Sequence, residues 1–216
     1  MIIQDDIIIA MRKYIAEFVG TFGLSLVVLV VLSSSNSGLT PIFAALTLML
    51  FVYTIGHISG AHINPAVTLG LLSWKKITRF DAISYLIAQF AGAMLARIVA
   101  TNLIPDLSLI LKPLSTRFLN TANIGLAEGL GMLFFSFGIG VVVAGKVSKE
   151  VSGVVVGGSL LIGLLIAGTV SNGILNPAVA LSLGSFNLMY LLGPVLGAYL
   201  GFRLAAYFNP EEKKKK

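Results

Sequence analysis

"AHINPAVTLG" (residues 61–70) and "ILNPAVALSL" (174–183) place Asn-Pro-Ala-Val in one chain twice, 112 residues apart and each time beside a long apolar segment. Proline within an apolar run normally breaks a helix, so a break that recurs calls for a reason. Residues 64–73 and 176–185 amount to roughly 15 Å of helix each, about half the thickness of bilayer hydrocarbon. They are too short to cross a membrane and too apolar to lie outside one. A pair of half-spans that dip to mid-membrane satisfies both limits.

The rest of the chain supplies the membrane. Of 216 residues, 56% are hydrophobic and 11% charged, with a mean hydropathy of +0.95, whereas soluble domains carry about 25% charged residues. Six stretches approach the ~20 apolar residues that a crossing needs: 14–34, 39–58, 80–100, 122–145, 152–170 and 187–208. The net charge of +6 is spread in short clusters between these runs, which argues against a nucleic-acid surface. Eleven Lys and Arg fall on one side: Arg12, Lys13, Lys75, Lys76, Arg79, Lys146, Lys149 and Lys213 to Lys216. Lys112 and Arg117 fall on the other, with Arg97 near that interface. By the positive-inside rule both ends are cytoplasmic, in a multi-pass protein of the cell membrane. The start, "MIIQDDIIIAMRKY", carries Asp5 and Asp6 where a signal peptide would be basic. Cysteine is absent, so disulfides and thiolate metal sites are excluded.

A second marker repeats with the first. "AEFVGT" begins at Ala16 and "AEGLGM" at Ala127, 111 residues later. The two halves, about 12–105 and 121–208 of a single domain 1–216, then hold three crossings each. An odd number inverts the second half relative to the first, the arrangement that places a functional site at the midplane between repeats.

Inversion brings the half-spans in from opposite faces, so that their N-termini meet. Asn64 and Asn176 suit a helix start, and Pro65 and Pro177 follow where a missing N–H costs nothing. Ala66 and Ala178 are small enough for the tips to abut. Each tip gathers roughly +0.5 charge from its peptide dipoles, which disfavours a cation. The segments before them, with Gly60, Ala61 and His62 in one and Asn172, Gly173 and Ile174 in the other, would be extended. Non-helical backbone at that depth must be buried in protein or face a water-filled cavity. Carbonyl acceptors beside two Asn donors describe a narrow path for a neutral, hydrogen-bonding molecule.

The chain resembles the major intrinsic protein family, the aquaporins and aquaglyceroporins, over essentially residues 12–208. The resemblance is carried by "AEFVGT", "SGAHINPAVTLG", "AEGLG", "NPAVALSLG" and "YLLGPVLGA" (190–198). It implies an all-α fold of six transmembrane helices and two re-entrant half-helices, a passive channel with one pore per subunit, and a homotetramer. It also implies an outer constriction formed by Ala44, Leu164, Gly173 and Val179. A register one residue earlier would present Phe43 in place of Ala44. Family members mostly carry arginine where this chain has Val179, and water-selective ones add an aromatic ring and a histidine. The glycerol-preferring subgroup usually has aspartate a few residues past the second motif, where this chain reads Val179 to Gly184 without one. A constriction of this composition is wider and more apolar than usual, and favours glycerol, urea or ammonia alongside water.

Other residues have plainer readings. The resemblance assigns Glu17 and Glu128 to support of the half-helix loops, with proton relay as the rival role for ionisable groups in a membrane. His57 and His62 could gate by protonation, but holding the first loop suits His62 better. Two histidines without cysteine or a carboxylate cluster make a poor metal site, and no cofactor is called for. The rows Gly193, Gly197, Gly201 and Gly153, Gly157 mark close helix packing, within or between subunits. Trp74 beside Lys75 and Lys76 is an interfacial anchor, and Arg203 snorkels. No hydrolytic triad, phosphate-binding loop or carboxylate pair is present, so an enzyme is not expected. The expected partners are water, small neutral solutes and the lipid bilayer, with no nucleic acid. The rival functions are an ion- or proton-coupled transporter, which also uses inverted repeats and broken helices, and a structural membrane protein with a closed pore.

Overall fold

A computed structural model of the chain describes residues 2–105, 107, 111 and 121–210. Lys112, Arg117 and Lys213 to Lys216, on which part of the charge argument falls, lie outside the described residues. The described elements are α1 (Ile2–Ser33), a 3₁₀ turn (Ser37–Leu39), α2 (Thr40–Ser59), α3 (Pro65–Ser73), α4 (Arg79–Leu103), α5 (Thr121–Val143), α6 (Lys149–Ala167), α7 (Pro177–Ser182) and α8 (Leu188–Phe208).

Six of these helices are long and apolar enough to cross a membrane: Met11–Ser33 of α1, Ser37–Ser59 with α2, and α4, α5 from Ala122, α6 and α8. Their ends lie within a few residues of the sequence expectation. The helix α1 itself begins at Ile2, twelve residues ahead of the expected span, and α6 starts three residues early at Lys149 and closes at Ala167 rather than 170. Ile83, Ile87, Val154, Leu165, Leu196 and Leu200 point outward and are exposed, as expected where the surrounding solvent is lipid. The interior holds the polar side chains Glu17, Thr21, Gln89, Glu128 and Ser136.

Glycine sets how closely the helices approach. Gly193, Gly197 and Gly201 of α8 lie against Gly125, Gly129 and Ser136 of α5, and Gly153 and Gly157 of α6 against Tyr53, Ala45 and Met49 of α2. These rows therefore pack helices inside one chain. A Cβ on Gly157 would come within 2.8 Å of the Ala45 carbonyl oxygen. On the face where α1 begins and α8 ends, called here the terminal face, Asp81 joins α1 to α4. Its Oδ1 accepts from the Tyr14 hydroxyl at 3.0 Å, and Oδ2 lies 3.8 Å from Lys13 Nζ.

The two short helices do not cross. α3 runs from the molecular centre back to the terminal face, and α7 runs from the centre to the opposite, far face. α3 packs on α8, α7 packs on α4, and α3 touches α7. The second half-span is shorter than the ten residues expected. It closes after Ser182 because Gly184 adopts φ +71° and the Gly184 and Ser185 amides turn back to the carbonyls of Leu181 and Ala180, a Schellman end. α3 ends in the same way, but there Lys75 takes the left-handed position, with φ +60°.

Candidate functional site

Each half-helix begins as its residues dictate. The Asn64 side chain accepts from the Ala66 amide, the Asn176 side chain from those of Ala178 and Val179, and Pro65 and Pro177 occupy the first helical turn. Each Asn also reaches into the other half. Asn64 Nδ2 donates to Leu175 O at 2.9 Å, and Asn176 Nδ2 donates to Ile63 O at 2.9 Å. One amide proton of each asparagine is thus committed to the opposite loop, and the second remains available.

The loops that end at these asparagines carry an unusual backbone. Gly60, Ala61 and Ile63 have φ of +88°, +47° and +37°, while Gly173 and Leu175 have +59° and +56°. Left-handed backbone at a β-branched residue such as Ile63 is a true outlier, and such positions cost of order 1–3 kcal/mol each unless the surroundings hold them. Here the surroundings do. Glu17 Oε1 accepts from the Ser59 hydroxyl (2.7 Å) and the His62 amide (2.9 Å), and Oε2 accepts from the Ile63 amide (2.7 Å). Glu128 repeats the pattern with the Ser171 hydroxyl (2.5 Å) and the amides of Ile174 (3.0 Å) and Leu175 (2.6 Å). Both glutamates are fully buried, and their carboxylates accept from backbone amides that have no water to turn to.

Several members of this frame escaped the sequence reading. Ser59 and Ser171 each stand five residues before their asparagine, and each hydroxyl also accepts the amide two residues on, Ala61 and Gly173. Tyr85 donates its hydroxyl to Ser59 O, while the Tyr190 hydroxyl accepts from the Asn172 amide. Gln89 Nε2 bridges Glu17 Oε2 and Thr68 Oγ1. The matched spacing of the serines was a visible signal, whereas the tyrosines and Gln89 sit on helices where only packing brings them to the loops.

A cavity of about 350 Å³ opens to the far face at Ser37, Gly38 and Thr40 and reaches inward to Asn64 and Asn176. Ala44 of α2, Leu164 of α6, Gly173 and Val179 of α7 all line it. So do Leu24, Val28, Leu48, Phe135 and Leu160, which the sequence reading did not single out. Phe43 points away and is 42% exposed. Of the candidate backbone positions, His62, Asn172, Gly173 and Ile174 are at the wall, while Gly60 and Ala61 lie beyond it. Pro65, Ala66, Pro177 and Ala178 are buried behind the asparagines. His62 packs edge-on to Tyr85 with its Nδ1 3.1 Å from Thr68 Oγ1, and His57 is exposed on the outside of α2. No cluster of three His, Cys, Asp or Glu side chains suited to a metal ion occurs among the described residues.

The arrangement can pass a small molecule that keeps hydrogen bonds along one wall and touches aliphatic carbon along the other. The family model described as Major intrinsic protein matches residues 4–205. The putative aquaporin NIP4-1 of Arabidopsis thaliana is 32% identical over 216 residues, covering 91% of this chain and 74% of that one. The glycerol uptake facilitator protein-like 6 of Lactiplantibacillus plantarum is 30% identical over 216 residues, covering 94% and 100%. The X-ray structure of the aquaglyceroporin from Plasmodium falciparum superposes with a TM-score of 0.67 at 19% identity, covering 94% of this chain and 96% of that one, and so shares the fold. The chain therefore belongs to the major intrinsic protein family, whose members are multi-pass membrane channels and not enzymes.

Proposed function

We propose that the chain passes water and small neutral solutes such as glycerol, urea or ammonia down their gradients, through the cavity between its two half-helices. The observation that carries this reading is the reciprocal pair of Asn64 and Asn176 hydrogen bonds at the inner end of that cavity. Water and glycerol enter as candidates because relatives are named aquaporins and a glycerol uptake facilitator. The constriction is Ala44, Leu164, Gly173 and Val179, an uncharged set that opposes larger neutral solutes less than an arginine would. Glu17 and Glu128 serve as supports for the loops, since their oxygens are taken up by loop donors and neither side chain lines the cavity. A coupled transporter would need such groups free to exchange protons along the route.

The two repeats, about 12–105 and 121–208, form one channel domain, with both termini on the cytoplasmic side and four copies in the assembly. Stopped-flow light scattering on proteoliposomes, with water, glycerol, urea and ammonia compared, tests the transport reading. Equilibration faster than bare lipid for water and at least one solute supports it. Rates equal to bare lipid for all four defeat it, and uphill accumulation driven by a proton or sodium gradient would make the protein a transporter.

A further inference from the structure

Arg97 lies within the membrane-crossing part of α4, where a permanent charge needs a reason. Its Nη1 donates to Ser182 O at 2.7 Å. That carbonyl belongs to the last residue of α7 and takes no part in the Schellman turn that closes the helix. The contact suits a cation at a helix C-terminus, but it uses a carbonyl rather than a carboxylate. Arg97 has no carboxylate partner among the described residues, and an arginine does not lose its proton in a protein. The guanidinium therefore keeps its proton and its formal charge.

The place of that charge matters. A Cβ added to Gly184 would lie 3.3 Å from Arg97 Nη1, and the neighbours of Gly184 on either side, Leu183 and Ser185, line the cavity. The guanidinium thus sits one layer behind the wall at the far end of the path. Among the described residues, the wall itself holds no Asp, Glu, Lys or Arg.

We propose that Arg97 is a specificity-determining residue, supplying from behind the wall the fixed positive charge that makes the far end of the path reject cations. A cation entering an aliphatic cavity gives up its water and meets few dipoles in return, so a nearby charge of like sign is weakly screened there. A neutral solute has no net charge for it to repel. The inference rests on the proposed channel function, and the experiment separates the two.

Urea and guanidinium are close in shape and differ by one charge, so their permeabilities are compared in proteoliposomes of wild type, Arg97→Gln and Arg97→Lys. Gln keeps a donor for Ser182 without charge, and Lys keeps the charge without the planar fork. Guanidinium entry should rise about tenfold in Arg97→Gln, with urea flux within about twofold of wild type, while Arg97→Lys behaves as wild type. Should Arg97→Gln not fold, Arg97→Met repeats the measurement with an uncharged chain of similar reach. Normal urea flux with an unchanged guanidinium-to-urea ratio in the uncharged variant overturns the proposal. So does a raised ratio in Arg97→Lys, since the fork and not the charge would then be at work. Wild-type urea flux no faster than bare lipid would instead remove the channel reading beneath it.

Discussion

Asn64 and Asn176 each hold the loop that presents the other. The Asn64 amide bonds the carbonyl of Leu175, the residue before Asn176, and the Asn176 amide bonds the carbonyl of Ile63, the residue before Asn64. Each also caps its own half-helix, so one side chain starts a helix and ties the two halves together. Replacing Asn176 by Ala removes a cap, worth about 1 kcal/mol, and strands the buried Ile63 carbonyl, at a cost of about 1–3 kcal/mol. Thermal unfolding in detergent should show that loss. The double variant Asn64→Ala with Asn176→Ala should lose less than the two single losses summed, because the first change already loosens the second site. Strict additivity would mean that the two bonds do not form one unit.

The glutamates bear more. A Gln at position 128 keeps one acceptor oxygen but turns an amide group toward the Leu175 or Ile174 amide, so two donors face each other. Glu128→Gln should destabilise the protein by about 2–4 kcal/mol, and Glu17→Gln similarly. Melting temperature in detergent is the measure. A variant as stable as wild type that still conducts would contradict the support role.

Val179 occupies the first turn of α7 and faces the cavity. Val179→Arg places a long cation in that space, so glycerol and urea fluxes should fall more than water flux in proteoliposomes. Unchanged fluxes for all three would show that the constriction lies elsewhere.

Gly157 tests the packing. Gly157→Ala pushes a methyl group against the Ala45 carbonyl of α2, a rigid backbone neighbour, and overpacking of this kind costs about 1–3 kcal/mol. Gly158, with open space around the same hypothetical atom, should accept Ala without loss. Unfolding midpoints of the two variants should therefore differ, and equal midpoints would mean that α6 and α2 can separate freely.

Much of this arrangement was legible in the residues because its signals are coarse or repeated. Apolar runs of crossing length marked the six helices, and two Asn-Pro-Ala copies with matched glutamates marked the two half-helices and their loops. What was not legible depends on three-dimensional closure. The left-handed backbone at Ile63 and Leu175 runs against their side-chain type, and only the carboxylates of Glu17 and Glu128 make it tolerable. The early end of α7 follows from Gly184, whose role depends on the chain turning there. Arg97 reads in sequence as an interfacial charge, and its contact with Ser182, 85 residues away, exists only because α4 packs on α7.

The path itself can be tested by chemistry, because the natural chain has no cysteine to interfere. Single variants Val179→Cys, at the cavity wall, and Phe43→Cys, on the outside of the same level, are reconstituted and treated with a membrane-impermeant, bulky thiol reagent. The account predicts that the reagent abolishes most of the urea or glycerol flux through Val179→Cys and leaves that through Phe43→Cys unchanged. Flux through a demonstrably labelled Val179→Cys protein that stays at its untreated rate would place the solute path somewhere other than between the two half-helices.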